Sequence, residues 1–200
     1  MSVFGRKPVS VPSAEAVERE LKRERYKHRY RSTLRSTLYS LLVVAAVAVL
    51  VATLWLPVLR IYGSSMEPTL NADELVVAVK GSSFSTGDIV GLYANNKLLV
   101  KRVIAGPGQT VIIDEDGTVR VDGKPLEEPY IKSNSFGNTN IAFPHTVGEN
   151  YYFVRGDDRV ESLDSRNSAV GDIHAEQIVG RIVFRIWPLK AFGAVGGDKE

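Results

Sequence analysis

The chain has 200 residues, of which 44% are hydrophobic, and its 25 basic and 23 acidic side chains leave a formal net charge of +2. These proportions exclude a disordered or fibrous chain and allow one domain of ordinary size with some length to spare. There is no cysteine, which excludes disulfides, thiolate metal sites and a cysteine nucleophile.

The near-neutral total hides an asymmetry. Basic residues outnumber acidic ones from Lys7 to Arg35, and Arg31 and Arg35 stand just ahead of an uncharged run over 38–59. About 20 apolar residues at 1.5 Å rise cross a hydrocarbon core of roughly 30 Å, so this run reads as a transmembrane helix. It is longer than the apolar core of a cleaved leader and starts further along the chain. Trp55, near its far end, suits a membrane interface. The flanking charges predict a cytoplasmic N-terminus and an external region from residue 60 onward. Residues 1–37 are then a basic cytoplasmic tail, partly helical, that faces anionic lipid and not nucleic acid.

Beyond residue 59 the texture changes to short valine-rich runs between turn residues. ELVVAV, DIVGLY, LLVKRVI, TVIID, TVRVDG, YYFVRG and IVGRIVFRIW read as strands. TVIID-EDG-TVRVDG reads as a hairpin turning at Asp116-Gly117. The expected fold is mostly β, an antiparallel domain over 60–190 preceded by one transmembrane helix. A flexible tail is expected over 191–200. The polar, turn-rich segment 130–150 reads as a lid or a long surface loop.

The stretch YGSSMEPTL, residues 62–70, sets two adjacent serines a few residues past the apolar run. A serine nucleophile usually needs a base, and there are three histidines. His28 lies on the cytoplasmic side by the topology above. His145 and His174 are each compatible with a triad, although neither lies in a context that suggests one. Asp114, Asp116, Asp157, Asp158 and Asp164 show no His/carboxylate spacing suited to a metal, and no metal or cofactor is expected. A neutral lysine can also activate a serine. Strand alternation in LLVKRVI puts Lys101 and Arg102 on opposite faces, so one of them faces inward unless the run is an edge strand with two solvated cations. Burial drives a lysine toward its neutral form, whereas an arginine stays charged. Lys101 is therefore the candidate base.

Three segments in order carry a family resemblance. SSMEPTL resembles the nucleophile box of bacterial type I signal peptidases, VKRVIAGPG is similar to their lysine box, and GDDRVESLDSR resembles their third box. The similarity runs from about residue 38 to 188. It implies a membrane-bound serine endopeptidase with Ser65 as nucleophile and Lys101 as general base. It further implies that Ser162 orients the lysine, that Asp164 and Arg166 brace the site, and that Met66 lines a pocket for small residues of Ala-x-Ala type. The implied partners are secreted preproteins carrying signal peptides, the phospholipid bilayer and the protein-export translocon. The implied place is the outer face of a bacterial plasma membrane. Two departures stand out. Gly63 occupies the place where some members have an oxyanion-hole serine, which leaves the Ser64 hydroxyl as the candidate donor. Asp158 stands where Asn is frequent. LexA-like autoproteases share the Ser/Lys pairing but are soluble, and a tethered non-enzymatic module would not account for the three boxes.

Overall fold

The structure, a computed structural model, describes residues 13–81 and 83–196. It divides into two units, one running to Val51 and the other from Ala52 onward. Helix α1, Ala14–Trp55, is unbroken over 42 residues, about 63 Å at 1.5 Å per residue. It contains neither glycine nor proline, so nothing separates the basic stretch from the apolar one. Salt bridges such as Lys22–Glu18 line its exposed first half. Its apolar part reaches a mean hydropathy of 2.4 over 18 residues, and the helix is long and apolar enough to cross a membrane.

The helix stops sooner than the expected span. Pro57 disfavours helical backbone at Leu56 and lacks the N–H that another turn requires. Val58–Arg60 is instead the first strand, β1. Leu59 belongs to the core of the second unit, so the end of the apolar run is part of the β domain and not of the membrane segment.

Eleven further strands follow: β2 Leu75–Val79, β3 Ile89–Ala94, β4 Lys97–Ala105, β5 Thr110–Ile113, β6 Val119–Val121, β7 Lys124–Pro125, β8 His145–Thr146, β9 Tyr151–Arg155, β10 Ile173–His174, β11 Ile178–Trp187 and β12 Gly193–Ala194. All seven runs read as strands from the sequence are strands. The five that it did not reveal have two or three residues each, too short for a period of two to register. One antiparallel sheet has the order β1-β2-β11-β3-β4-β9-β10 with β12 on β11, and a smaller one has the order β7-β6-β5-β8. The expected β5–β6 hairpin pairs Val111 with Val121, and its turn closes through the Gly117 N–H on the Asp114 carbonyl at 2.8 Å.

The C-terminal segment departs from expectation. The strand Gly193–Ala194 pairs with β11, and Val195 is buried in the core beside Leu59 and Ile182. Phe192 meets Phe184 edge to face at 4.8 Å between ring centroids. Strand pairing and the burial of Val195 thus fix residues 193–195 that were expected to be loose, while residues 197–200 lie outside the described residues.

Strand β11 runs between β2 and β3, and Gly180 marks its closest approach. A Cβ there would stand 2.5 Å from the Val79 carbonyl oxygen and 2.8 Å from its carbon. Backbone cannot yield as a side chain can, so Gly180→Ala should destabilise the domain by about 1–3 kcal/mol. A urea melt in detergent should show a lower midpoint at constant slope. An unchanged midpoint would mean that the two strands have slack which this geometry denies them.

Candidate active site

Strand register brings the three boxes together. β4 pairs with β3 along its first part, Val90 opposite Lys101, and with β9 further on, Arg102 opposite Arg155. Because β4 and β9 are antiparallel, the residue after Arg155, Gly156, comes alongside Lys101. A Cβ on Gly156 would collide with the Ser162 hydroxyl and with the Ser65 carbonyl oxygen. Only glycine lets these two close in on one point of the backbone. The Asp158 N–H also donates to the Ser65 carbonyl, at 3.1 Å. Ser65 is thus fixed, through its own backbone, to the segment that carries Ser162.

Lys101 is 2% exposed, and its Nζ donates to Ser162 Oγ at 2.9 Å. Burial lowers the lysine pKa to about 8. The Asp164 carboxylate opposes that shift and the Arg166 guanidinium adds to it. Burial alone would raise the Asp164 carboxyl, but a bidentate pair with Arg166, at 2.8 and 2.9 Å, outweighs it and holds the group below its ordinary value. The same carboxylate accepts the Gly156 N–H at 3.1 Å. Arg166 also donates to the carbonyls of Phe136 and Arg159, so it ties down the loop that presents Ser162.

A second buried pair joins all three boxes. Arg102 forks onto Asp157 at 2.9 and 2.6 Å, and the Thr69 hydroxyl donates to Asp157 at 2.5 Å. Thr69 comes from the serine box, Arg102 from the lysine box and Asp157 from the third. The guanidinium also lies 3.6 Å from the centroid of the Tyr130 ring. Arg159 forks onto Glu128 behind it.

These contacts correct two expectations. Arg102 is as buried as Lys101, although only one of the pair was expected to face inward. The second face of β4 is covered too, by Asp157, Thr69 and Tyr130. The segment from residue 130 is largely the irregular surface loop expected, but part of it is tied to the site. Tyr130, the Phe136 carbonyl and Thr139, whose hydroxyl donates to the Arg166 carbonyl at 2.9 Å, brace the site from behind.

The other candidates fall as follows. Ser64 and Ser65 are half-buried, and the Ser64 carbonyl closes a turn with the Glu67 N–H at 2.8 Å. Met66 is packed among Leu59, Ile61 and Leu70 at 1% exposure, so it shapes the serine loop from beneath and presents no open wall. His145 pairs with Asp172 at 2.9 Å, and His174 caps a short 3-10 turn. Neither is hydrogen-bonded to either serine. No cluster of potential metal ligands occurs among the described residues. Sequence reasoning missed Glu128, Tyr130 and the role of Gly156, since no local pattern marks a residue whose partner is far along the chain.

The chain is similar to known proteins over most of its length. The family model described as signal peptidase, peptidase S26, matches residues 34–187. A signal peptidase I of Bacillus caldolyticus is 36% identical over 163 residues, covering 72% of this chain and 87% of that protein. A signal peptidase IB of Staphylococcus aureus strain COL is 37% identical over 153 residues, covering 66% and 78%. Among solved structures, a signal peptidase I from Enterococcus faecalis V583 shares 27% identity at a TM-score of 0.43, covering 51% of this chain and 98% of that one.

The Arg102–Asp157 pair has side chains 5% and 0% exposed. Removing one charge of such a pair leaves the other buried without compensation, which costs about 3–5 kcal/mol. Asp157→Asn should therefore lower the urea midpoint far more than a surface change such as Asp116→Asn. Equal midpoints for the two variants would show that the pair does not hold the boxes together.

Proposed function

Given that this chain belongs to the type I signal peptidases of family S26, serine endopeptidases that remove signal peptides from preproteins, we propose that Ser65 is its nucleophile and Lys101 its general base. The observation that carries this reading is the lysine amine, buried to 2% and held at 2.9 Å by Ser162. A base must be unprotonated near working pH, and burial brings Lys101 to about 8.

The hydrogen-bond directions support the same role. Ser162 Oγ accepts an N–H of Lys101 at 2.9 Å. The neutral amine then spends an N–H on Ser162 and keeps its lone pair for the Ser65 hydroxyl. Ser65 Oγ attacks the scissile carbonyl as Lys101 takes its proton. The lysine returns that proton to the leaving amine, and an ester links Ser65 to the signal peptide. Lys101 then deprotonates the water that hydrolyses the ester. The Ser65 N–H and the Ser64 hydroxyl are the candidate donors to the oxyanion, since Gly63 has no side chain to offer. Small residues of Ala-x-Ala type before the cut fit a shallow apolar surface such as half-buried Leu98 and Val100 provide. No cofactor takes part in these steps.

Helix α1 anchors the enzyme in the bacterial plasma membrane. The basic residues before its apolar part keep the N-terminus in the cytoplasm and carry residues 60–190 to the outer face. The bilayer and the translocon that delivers preproteins are the partners this location implies. In intact protoplasts, external protease should degrade the β domain and spare an epitope at the N-terminus. Loss of the epitope alone would reverse the orientation.

The dyad makes distinct demands on variants. Ser65→Ala, Lys101→Ala and Lys101→Arg should each abolish preprotein cleavage with circular dichroism unchanged, because a guanidinium cannot accept the proton. His145→Ala and His174→Ala should retain most activity. The acidic limb of the rate profile should fall near pH 8. Below it Lys101 is protonated and the rate should drop about tenfold per pH unit; above it the base is neutral and the rate levels off. An active Lys101→Arg enzyme, or a limb at the roughly 6.5 of histidine, would sink the dyad.

A further inference from the structure

A cavity of about 260 Å³ adjoins the serine loop and takes no part in the chemistry above. Glu67, Lys132 and the segment 157–161 form its walls. Glu67 lies two residues past Ser65, and Asp158 is the residue whose N–H binds the Ser65 carbonyl at 3.1 Å. The cavity is therefore walled by a sequence neighbour and by a backbone partner of the proposed nucleophile. Its rim is preformed, because one Asp158 carboxylate oxygen accepts the N–H groups of Val160 and Glu161 at 3.0 and 3.1 Å.

The charges around it do not cancel. Asp157 is neutralised by Arg102 and Arg159 by Glu128, both in close buried pairs. Glu67, Asp158 and Glu161 remain, against Lys132 alone. On the β4 side of the site, by contrast, half-buried Leu98 and Val100 pack onto the cluster of Leu59 and Ile61. One flank of Ser65 is apolar and the other is polar and acidic. A signal peptide presents small apolar residues ahead of the cut, which suit the first flank. The segment after the cut is left with the second.

We propose that this cavity binds the first residues of the mature chain, on the leaving side of the scissile bond, and that its carboxylates favour a basic side chain there over an acidic one. The assignment rests on Ser65 being the nucleophile. The carboxylates are only partly withdrawn from water, so the preference should be a few-fold and should fade with salt.

The test uses the full-length chain in detergent and three peptides identical up to the cut, with Lys, Ala or Asp at the second residue after it. At low ionic strength kcat/KM should follow Lys over Ala over Asp, with roughly three- to tenfold between the extremes. In about 1 M NaCl, where the screening length is about 3 Å, the three should converge. Glu161 is exposed, so Glu161→Lys should fold normally, and it should flatten or invert the order. Glu67→Gln should weaken the preference in the same direction. Equal rates for the three peptides, or an order that survives both substitutions, would overturn the assignment while leaving the dyad intact. A preference that instead follows charge placed before the cut would overturn it too, by assigning the cavity to the signal-peptide side. Failure to cleave any of the peptides would strike at the peptidase reading, and the subsite would fall with it.

Discussion

A guanidinium and a carboxylate, both withdrawn from water, hold this active site in one piece. Arg102 and Asp157 meet in a bidentate pair closed by the Thr69 hydroxyl. Their three backbones belong to segments far apart in sequence. The pair does little for net stability, since the desolvation of two ions cancels much of their attraction. Its effect is on geometry. A fork of two hydrogen bonds fixes angle as well as distance, so the serine loop, the lysine strand and the third box have one mutual arrangement in which this fork closes. Asp164 and Arg166 repeat the device on the other side of Gly156.

Such a frame matters because the proposed base needs conflicting surroundings. A lysine loses its proton only if water is kept away and no carboxylate lies close enough to fix the charge. Asp164 nevertheless stands near Lys101 and opposes its deprotonation. Arg166 resolves the conflict by engaging both oxygens of Asp164. The guanidinium thus offsets part of the carboxylate's charge and itself disfavours a second cation beside it.

Much of this was legible in the sequence, and the illegible part has a common cause. Strands of four or more residues announced themselves through valine-rich runs between turn residues. Lys101 was singled out as an amine that would be buried, and it is; the grouping of Ser162, Asp164 and Arg166 was implied by the family resemblance. What stayed hidden depended on partners distant in the chain. Arg102 read as the outward neighbour of Lys101, because nothing in VKRV discloses that Tyr130 and Asp157 cover the opposite face of the strand. Met66 read as a pocket wall, yet its motif position is equally that of a core residue, and packing against Leu59 and Leu70 decides the matter. The helix end was misplaced because apolar residues continue past Pro57, where composition is blind to the change from lipid-facing to core-facing burial.

The strand order has a consequence for how the enzyme comes into being. β2 is flanked by β1 on one side and β11 on the other, and β3 also pairs with β11. The cluster beneath the serine loop is completed by Ile182 and Val195. A chain still emerging from synthesis therefore lacks the strand that joins β2 to β3 until Ile178–Trp187 has appeared. Pairings this distant form late, because loop closure must precede the contacts that reward it. The two flanks of the main sheet are not joined before β11 arrives, so a nascent copy holds its serine loop and its lysine strand on separate, unjoined segments. Assembly of the candidate site is in this way self-timed: it waits on a strand made long after the two segments that it brings together.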